Sequence, residues 1–476
     1  MSADAVVTTW PAPAEEVPSE DYAVLVNGQP VSVYRARVSA MPYNQVWPGY
    51  QRPLEQTEVA SFATWDMAGP VTVEVAPRRP VWSVQVRPTS YGVQPQVEGG
   101  RIRLSMSRPA SLTVEVNGTH HALHLFANPP EQDAPTEGQP GVRYFGPGIH
   151  NAGVIELASG ETLYVAGGAV VHGVVRARGA EGIRIRGRGI LDASTFSRQQ
   201  GGQPVGLGDC RDVTVEGLVL RDPGSWTVVV AGCRDVRLAD LKLIGLWRYN
   251  ADGIDIVNSS AVGIERCFVR SFDDSIAVKG LNRCQGVPTA HLPVVDLNVR
   301  DCVIWCDWGR ALEIGAETAA PQMRGLRFTD CDIVRTNYAA MDIQHGDQAD
   351  IHDVRFERIR LEVDDDSLPP VMQEGRDAPF RPSPGWAPRL LVCEIVDTMW
   401  RQGDRRGSMH DIHLKDVEVR SRQMPSSRLQ GLAPGHEVRG VTIENLRWNG
   451  QPVADAEAAR LTVNEHVSDV RFVAGG

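Results

Sequence analysis

The chain has 476 residues, of which 42% are hydrophobic and 22% charged, and its formal net charge is -11. This length exceeds that of an average domain, so the chain can bury a large core or form a long repeat fold. The acidic balance disfavours nucleic acid and anionic membranes as partners, because both bind basic protein surfaces.

The N-terminal stretch MSADAVVTTWPAPAEEVPSE lacks a basic region followed by an apolar one. No run of about 18 apolar residues occurs elsewhere, so we expect a soluble, cytoplasmic protein for the sequence as it stands. The eight cysteines form no CxxC pair, which argues against a zinc or redox motif. We interpret them as small buried hydrophobic residues.

Residues 22–126 contain alternating apolar and polar runs separated by turn residues, such as YAVLVNGQPVSVY. The NG pair at Asn27 and Gly28 is typical of a tight β-hairpin turn. This pattern predicts an antiparallel β-sandwich after an N-terminal segment of residues 1–21. With the Pro-rich connector that starts at residue 127, this domain is predicted to span residues 22–140.

From residue 182 a nine-residue phrase recurs with apolar residues at its second, fourth, seventh and ninth positions. Its copies are GIRIRGRGI (182), DVTVEGLVL (212), DVRLADLKL (235), AVGIERCFV (261), DLNVRDCVI (296), GLRFTDCDI (325), DVRFERIRL (353), DIHLKDVEV (411) and GVTIENLRW (440). Period-2 alternation with one break describes two short strands joined by a bend. Repetition of this unit predicts that residues 141–476 form a right-handed parallel β-helix, so the fold class is all-β.

Two matching phrases, DGIDI at Asp252 and DSIAV at Asp274, occupy successive coils of this predicted solenoid. If their apolar residues point into the bore, the two aspartates lie on adjacent rungs, about 4.8 Å apart. Unpaired charges in the bore are costly, so each strand must start after its aspartate. We therefore expect Asp252 and Asp274, with Asp273 beside them, at an exposed corner.

The same register extends to the next two coils. It places Arg310 at the corner position and predicts an outward-facing group of Asp255, Glu313 and Asp342. Carboxylates this close raise one another's proton affinity, so an acid would lie beside a base. That combination suits glycosidic hydrolysis; the alternatives are a calcium site or a solvated acidic face.

The stretches NADGIDI, DDSIAVKG and GRALEIG resemble the signature of glycoside hydrolase family 28, the polygalacturonase-like enzymes. Family 49, the dextranase-like group of the same clan, also places a β-sandwich before its β-helix. The resemblance covers roughly residues 180 to 350 and implies inverting hydrolysis without a metal or other cofactor. By position, it makes Asp273 the general acid, while Asp252 and Asp274 position and deprotonate the attacking water.

Two departures from the family pattern bear on the substrate. Arg310 stands where the family has a histidine, and Asp342-Ile343-Gln344 stands where it has Arg-Ile-Lys. An acid and an amide do not attract the carboxylate that a basic pair binds. We therefore expect a neutral oligo- or polysaccharide substrate.

Further residues of these stretches complete the predicted substrate-binding set. It comprises Asn250, Asp255, Lys279, Trp308, Arg310, Glu313, Asp342, Gln344 and His345, although a lone loop histidine is more often incidental. Trp226, Trp247 and Trp305 also flank these coils, and each is equally suited to a structural role or to stacking on a sugar.

Two other readings remain open at this stage: a calcium-dependent polysaccharide lyase with Arg310 as base, and a non-catalytic carbohydrate-binding β-helix. The long segment 364–389 interrupts the repeat, and we expect it to close one end of the groove and favour short chains or chain ends. Side-by-side association of β-helices into a homo-oligomer is also open.

Overall fold

The structure is a computed structural model that describes residues 6–45, 54–363, 371–372, 378–379, 381–383 and 386–475. Within these residues, helix is confined to three short 3-10 segments, Leu54–Gln56, Thr89–Tyr91 and Arg198–Gln200. None of the helices in this part of the chain is long and apolar enough to cross a membrane.

The N-terminal part consists of two packed sheets. The first contains Val6–Thr8, Val33–Ser39, Thr57–Ala68, Val84–Arg87, Ala110–Val116 and Leu123–Asn128. The second contains Tyr22–Val26, Gln29–Val31, Val71–Pro77, Gln96–Glu98 and Arg101–Met106. Inward-facing residues of both sheets, with Trp65 fully buried among them, form a separate core.

The predicted sandwich is confirmed with one difference in strand direction. Asn27 and Gly28 both have positive φ, as a tight hairpin turn requires. The strands Leu123–Asn128 and Thr57–Ala68 pair in parallel, so the first sheet is mixed rather than purely antiparallel. The edge strand Val6–Thr8 lies within the predicted N-terminal segment and pairs with the first sheet.

The remainder of the chain forms three parallel ladders, which confirms the β-helix. Ladder one contains Val142–Phe145, Thr162–Val165, Glu181–Gly187, Arg211–Glu216, Arg234–Ala239, Ser260–Glu265, Val294–Arg300, Gln322–Thr329, Asp350–Glu357, Ser408–Lys415, Val438–Glu444 and Val467–Val473. The long strands Gly148–Glu156 and Ala169–Arg178 begin the other two ladders.

Ladder two continues with Ile190–Asp192, Val219–Arg221, Lys242–Ile244, Phe268–Ser271, Val303–Cys306, Asp332–Arg335, Arg360–Val363, Glu418–Ser421, Arg447–Trp448 and the antiparallel Gln451–Pro452. Ladder three continues with Val205–Gly208, Val228–Ala231, Ile254–Val257, Ile276–Gly280, Arg310–Thr318, Ala339–His345, Arg389–Ile395, Ser427–Gln430 and Leu461–Val463. Short pairs outside the ladders are Arg283–Cys284 with Val287–Pro288, and Val371–Met372 with Tyr43–Gln45 and Arg381–Pro382.

The recurring nine-residue phrase spans one bend of each coil. Its first half lies in ladder one and its second half in ladder two, and the apolar positions of both fill one continuous bore. The first residue of five copies is an aspartate with a left-handed backbone, at residues 212, 235, 296, 353 and 411. Aspartate tolerates this conformation better than most residues, which explains its recurrence there.

The sandwich docks on ladder two. Phe62 and Phe126 from the sandwich pack against Phe268 and Trp305 from the solenoid. At one end of this contact Glu115 accepts hydrogen bonds from Arg335 at 2.8 Å and from Arg87 at 3.0 Å. Ladder three lies outside this contact.

The segment 364–389, expected to close one end of a groove, lies mostly outside the described residues. Among its described residues, Trp386 donates a hydrogen bond to the carbonyl of Asn337 and packs at a tilt against Tyr338, with ring centroids 5.8 Å apart. The role of the segment in product length stays a prediction, as do the exact domain boundaries.

Candidate active site

Ladder three brings the predicted aspartates together. The strands Ile254–Val257 and Ile276–Gly280 each begin two residues after Asp252 and Asp274, and Ile254 pairs with Ile276. The two aspartates therefore lie on adjacent coils at the same corner, as the sequence predicted. Asp273 precedes Asp274 and accepts a hydrogen bond from its backbone N–H at 3.1 Å.

Two glycines allow this corner to pack closely. A Cβ on Gly253 would lie 2.3 Å from the carbonyl oxygen of Ser275, and one on Gly309 would lie 2.5 Å from a carboxylate oxygen of Asp274. Both distances are far below a van der Waals contact, so any side chain at these positions would push the aspartates apart.

The outward column of carboxylates also follows the predicted register. Asp255 pairs with Ala277, Ala277 with Glu313, and Glu313 with Asp342 on four successive coils. Their side chains therefore project from one face of ladder three, beside the aspartate corner.

The expectation that these carboxylates are exposed is wrong. Asp252 and Asp255 are completely buried, Glu313 and Asp342 are 1% exposed, and Asp273 and Asp274 are 7% and 6% exposed. The reason is that Lys279 and Arg310 lie across the carboxylates, and aromatic and loop residues close around them. The site is therefore recessed in the outward face of ladder three, a region called the groove from here on.

Lys279 is the centre of the charge arrangement. Its ammonium nitrogen lies 3.6 Å from carboxylate oxygens of Asp252 and Asp274, and 3.8 Å from those of Asp255 and Glu317. Burial opposes the charge, but these carboxylates outweigh it and raise the pKa of Lys279 well above its ordinary value. Lysine remains protonated here and compensates the acidic cluster.

Glu317 was missed in the sequence. The strand Arg310–Thr318 bulges opposite the strand Ile276–Gly280, so that Ile314 pairs with Val278 but Thr318 pairs with Gly280. This shift brings Glu317 beside Lys279. Alternation counted from Glu313 puts Glu317 on the outward face, which is the signal that could have found it.

Arg310 joins two coils at the other side of the corner. Its side chain donates to Asp342 at 2.9 Å, its backbone N–H donates to Asp274 at 2.9 Å, and its guanidinium stacks over Tyr338. Burial opposes its charge, but Glu313 and Asp342 raise the pKa of Arg310 well above its ordinary value.

Adjacent Asp273 and Asp274 have opposite pKa shifts. Burial, together with the charge of Asp274, raises the pKa of Asp273 to about 8. Burial also acts on Asp274, but a hydrogen bond from Glu313 and the charges of Lys279 and Arg310 outweigh it and lower its pKa. Near neutral pH the pair therefore holds one acid and one base.

The remaining carboxyl groups favour the protonated form. Burial, then the neighbouring carboxylates, raises the pKa of Asp252 well above its ordinary value, and burial raises those of Asp255 and Glu313 likewise. Burial raises the pKa of Asp342 to about 6, with Arg310 opposing it. Several oxygens of this group accept no hydrogen bond in the described structure: Asp252 Oδ2, Asp255 Oδ1 and Oδ2, Glu313 Oε2 and Asp342 Oδ1.

Trp308 is the tryptophan best placed to contact a sugar. It is half-buried and packs against Tyr249 and Phe272, with ring centroids 5.7 and 5.5 Å away. Trp247 and Trp305 are buried instead, with indole hydrogen bonds to Asp222 and Asp307 respectively.

The last three predicted substrate-binding residues, Asn250, Gln344 and His345, differ in whether they face the site. Asn250 donates a hydrogen bond to Asp252 at 3.2 Å and so orients that carboxyl group. Gln344 follows Asp342 by two residues and is half-buried on the outward face. His345 is turned to the opposite side of this strand, is fully buried and hydrogen-bonds to Thr318 at 2.7 Å, so the structure gives it a packing role.

Side chains that could bind a metal ion lie close together in the groove and on ladder one. In the groove the ammonium of Lys279 already lies among the carboxylates, which makes this donor set unsuited to a further cation. On ladder one, Asp350, His352 and His410 bring potential ligand atoms within 4.8 Å of one another. The absence of a catalytic metal stays a prediction.

Comparisons with known proteins agree on the fold. Residues 158–371, which include the aspartate corner and the outward column, match the model of glycosyl hydrolases family 28. Dex49A from Penicillium minioluteum is similar over 98% of each chain, with 14% identity and a TM-score of 0.57. A hyperthermoactive exopolygalacturonase from Thermotoga maritima is similar over 70% of this chain and 83% of its own, with 15% identity and a TM-score of 0.51. No curated protein matches the chain in sequence.

These structural similarities, at 14% and 15% identity, show the parallel β-helix fold. The resemblance to the clan of glycoside hydrolase families 28 and 49 is confirmed, and the chain is a glycoside hydrolase.

Proposed function

We propose that this glycoside hydrolase cleaves a neutral oligo- or polysaccharide with inversion of configuration. The observation that carries the mechanism is the opposite pKa shift of the neighbours Asp273 and Asp274. An inverting hydrolase needs one protonated carboxyl group and one ionised carboxylate on opposite sides of the bond that breaks.

In the proposed step, Asp273 donates its proton to the glycosidic oxygen as the bond to the anomeric carbon breaks. Water attacks that carbon from the opposite face, and Asp274 accepts the proton that the water loses. Asp252, which is held by Asn250 and Lys279, positions this water. The acid ends ionised and the base protonated, and exchange with solvent restores both.

The charge arrangement supports a neutral substrate. Both cations that lie among the carboxyl groups already face a carboxylate: Lys279 lies 3.6 Å from Asp274, and Arg310 lies 2.9 Å from Asp342. A uronate would bring a further negative charge to this floor without a free cation to receive it. An uncharged sugar brings no such unpaired charge to the site.

The lyase alternative is disfavoured by the same charges. Abstraction of a proton by Arg310 requires a neutral guanidine, whereas Glu313 and Asp342 raise the pKa of Arg310. Lys279 is held protonated in the same way. A lyase would also release an unsaturated product that absorbs in the ultraviolet, which hydrolysis does not.

A substrate panel tests the neutral specificity. We expect hydrolysis of at least one member of a set of α-linked gluco- and galacto-oligosaccharides, and rates at least about 100-fold lower on galacturonides of equal length, because an unpaired charge costs several kcal/mol. Product release is followed by chromatography with refractive-index detection. Preference for galacturonides would contradict the proposal, and an ultraviolet-absorbing product would favour the lyase.

The pH dependence of kcat/KM tests the assignment of the acid. Asp273 must carry its proton, so we expect kcat/KM to fall as the pH rises through about 8. Asp274 must be ionised, and since its pKa is lowered, the acidic limb lies below the ordinary aspartate range. In Asp273→Asn the residual activity should lose the alkaline limb, and an unchanged limb in that variant would assign it to another group.

A further inference from the structure

A hairpin follows Lys279 directly, after the ladder-three strand Ile276–Gly280. Residues 281–292 leave the solenoid, pair the strands Arg283–Cys284 and Val287–Pro288, and return to ladder one at Val294. The hairpin folds back over the coils that precede the aspartate corner.

The floor beneath the hairpin is shaped to receive it. A Cβ on Gly206 would lie 2.8 Å from the side chain of Gln285, and one on Gly208 would lie 3.0 Å from that of Val287. These two glycines belong to the strand Val205–Gly208, so the outward face of ladder three is bare where the hairpin crosses it.

The next coils contact the hairpin through apolar side chains. Val229, Ala231 and Val257 form a buried cluster on the outward face of ladder three, and the cluster is covered by Trp226, Leu281 and Cys284. This cluster lies immediately beside Asp255 and Lys279, so the groove ends there.

Hydrogen bonds fix the hairpin in this position. Asn258 donates to the carbonyl of Leu292 at 3.0 Å and accepts from the N–H of Leu281 at 2.8 Å. Arg178 donates to the carbonyl of Gln285 at 2.7 Å, across 107 residues of sequence. The hairpin is therefore bound at its base and at its tip.

Two polar groups at the closed end have no hydrogen-bond partner. Neither carboxylate oxygen of the fully buried Asp255 accepts a hydrogen bond, and the indole N–H of Trp226 donates none. Lys279 lies over the Trp226 ring, 5.1 Å from its centroid. Buried groups of this kind are normally satisfied by a protein group, a water or a ligand.

We infer that the hairpin 281–292 closes the groove, so that the enzyme acts on chain ends and holds the terminal sugar against the half-buried Trp226. The inference rests on the proposed function and adds its mode of action. The wall is a different element from the segment 364–389 that the sequence indicated. In the opposite direction the floor continues through Asp342 and Gln344 to the strand Arg389–Ile395.

Time-resolved product analysis on six-unit α-linked gluco- and galacto-oligosaccharides tests this inference. The wild-type enzyme should release one product of constant length from the earliest times, and a blocking group on one chain end only should stop it. A mixture of product lengths at early times, or indifference to blocking of either end, would overturn the inference and leave the hydrolytic function intact. No hydrolysis of any glycan would overturn both.

Two variants test whether the hairpin determines the length of the product and whether Trp226 holds the terminal sugar. Replacing residues 283–288 by two glycines should open the groove and convert the single product into a ladder of lengths. Trp226→Phe keeps an aromatic ring but removes the N–H and part of the indole surface, so we expect KM for the chain to rise about 2- to 10-fold with kcat little changed. Trp82→Phe, which alters an exposed tryptophan of the sandwich, is the matched control and should change neither constant. An unchanged KM in Trp226→Phe would contradict the placement of the terminal sugar.

Discussion

Replacing Asp273 by Asn lowers kcat by about 10³-fold on an unactivated glycoside, within the range for loss of a general acid. KM changes little, because asparagine keeps the shape of the carboxyl group and still accepts the hydrogen bond from Asp274 N–H. The loss is much smaller on a nitrophenyl glycoside, because that leaving group departs without protonation. Steady-state kinetics on both substrates measure the difference.

The matched control is Asp235→Asn, which changes an aspartate at a solvent-exposed corner of ladder one and should leave kcat unchanged. Equal losses on both glycosides would mean that Asp273 is not the proton donor. Binding without any hydrolysis in the wild type would instead favour a carbohydrate-binding protein.

Replacing Lys279 by Met removes the cation that faces Asp252, Asp255, Asp274 and Glu317. Loss of one partner from a buried ion pair costs about 3–5 kcal/mol of folding free energy. The pKa of Asp252 and of Asp255 is already raised, so these groups accept protons more readily in acid. We therefore expect the decrease in Tm to be larger at pH 8 than at pH 5, and kcat to fall strongly at both.

Lys415→Met serves as the control for this change, because Lys415 pairs with Glu444 on the exposed side of ladder one. This control substitution should leave Tm nearly unchanged. Differential scanning fluorimetry at pH 5 and pH 8 measures the Tm of the wild type and of both variants. An equal decrease in the Tm of Lys279→Met at both pH values would show that lost packing, and not the carboxylate charges, accounts for the destabilisation.

The repeat and the register of the site could be predicted from sequence because they depend on local alternation. Once the isoleucines of DGIDI and DSIAV point into the bore, the pairing of Asp255, Glu313 and Asp342 follows. The left-handed backbone of the aspartates at the repeat corners likewise depends only on the residues of each copy.

The burial of the site could not be predicted in this way. Asp255 is enclosed because residues 281–292 fold back over earlier coils, and the contact of Arg178 with Gln285 leaves no periodic trace in the sequence. Alternation gives the outward position of Glu317, but it does not give the bulge that brings Glu317 beside Lys279, because the bulge alters the pairing of one strand without altering its pattern of residues. Likewise, no local sequence pattern indicates that the sandwich docks on ladder two and leaves ladder three free.

The anomeric configuration of the first product tests the central claim most directly. Proton NMR of the reaction within the first minutes distinguishes α from β products before mutarotation mixes them. On an α-linked neutral oligosaccharide we expect the β-anomer first, because water assisted by Asp274 attacks the face opposite the leaving group protonated by Asp273. Initial release of the α-anomer would contradict the account, since retention requires a carboxylate nucleophile about 5 Å from the acid.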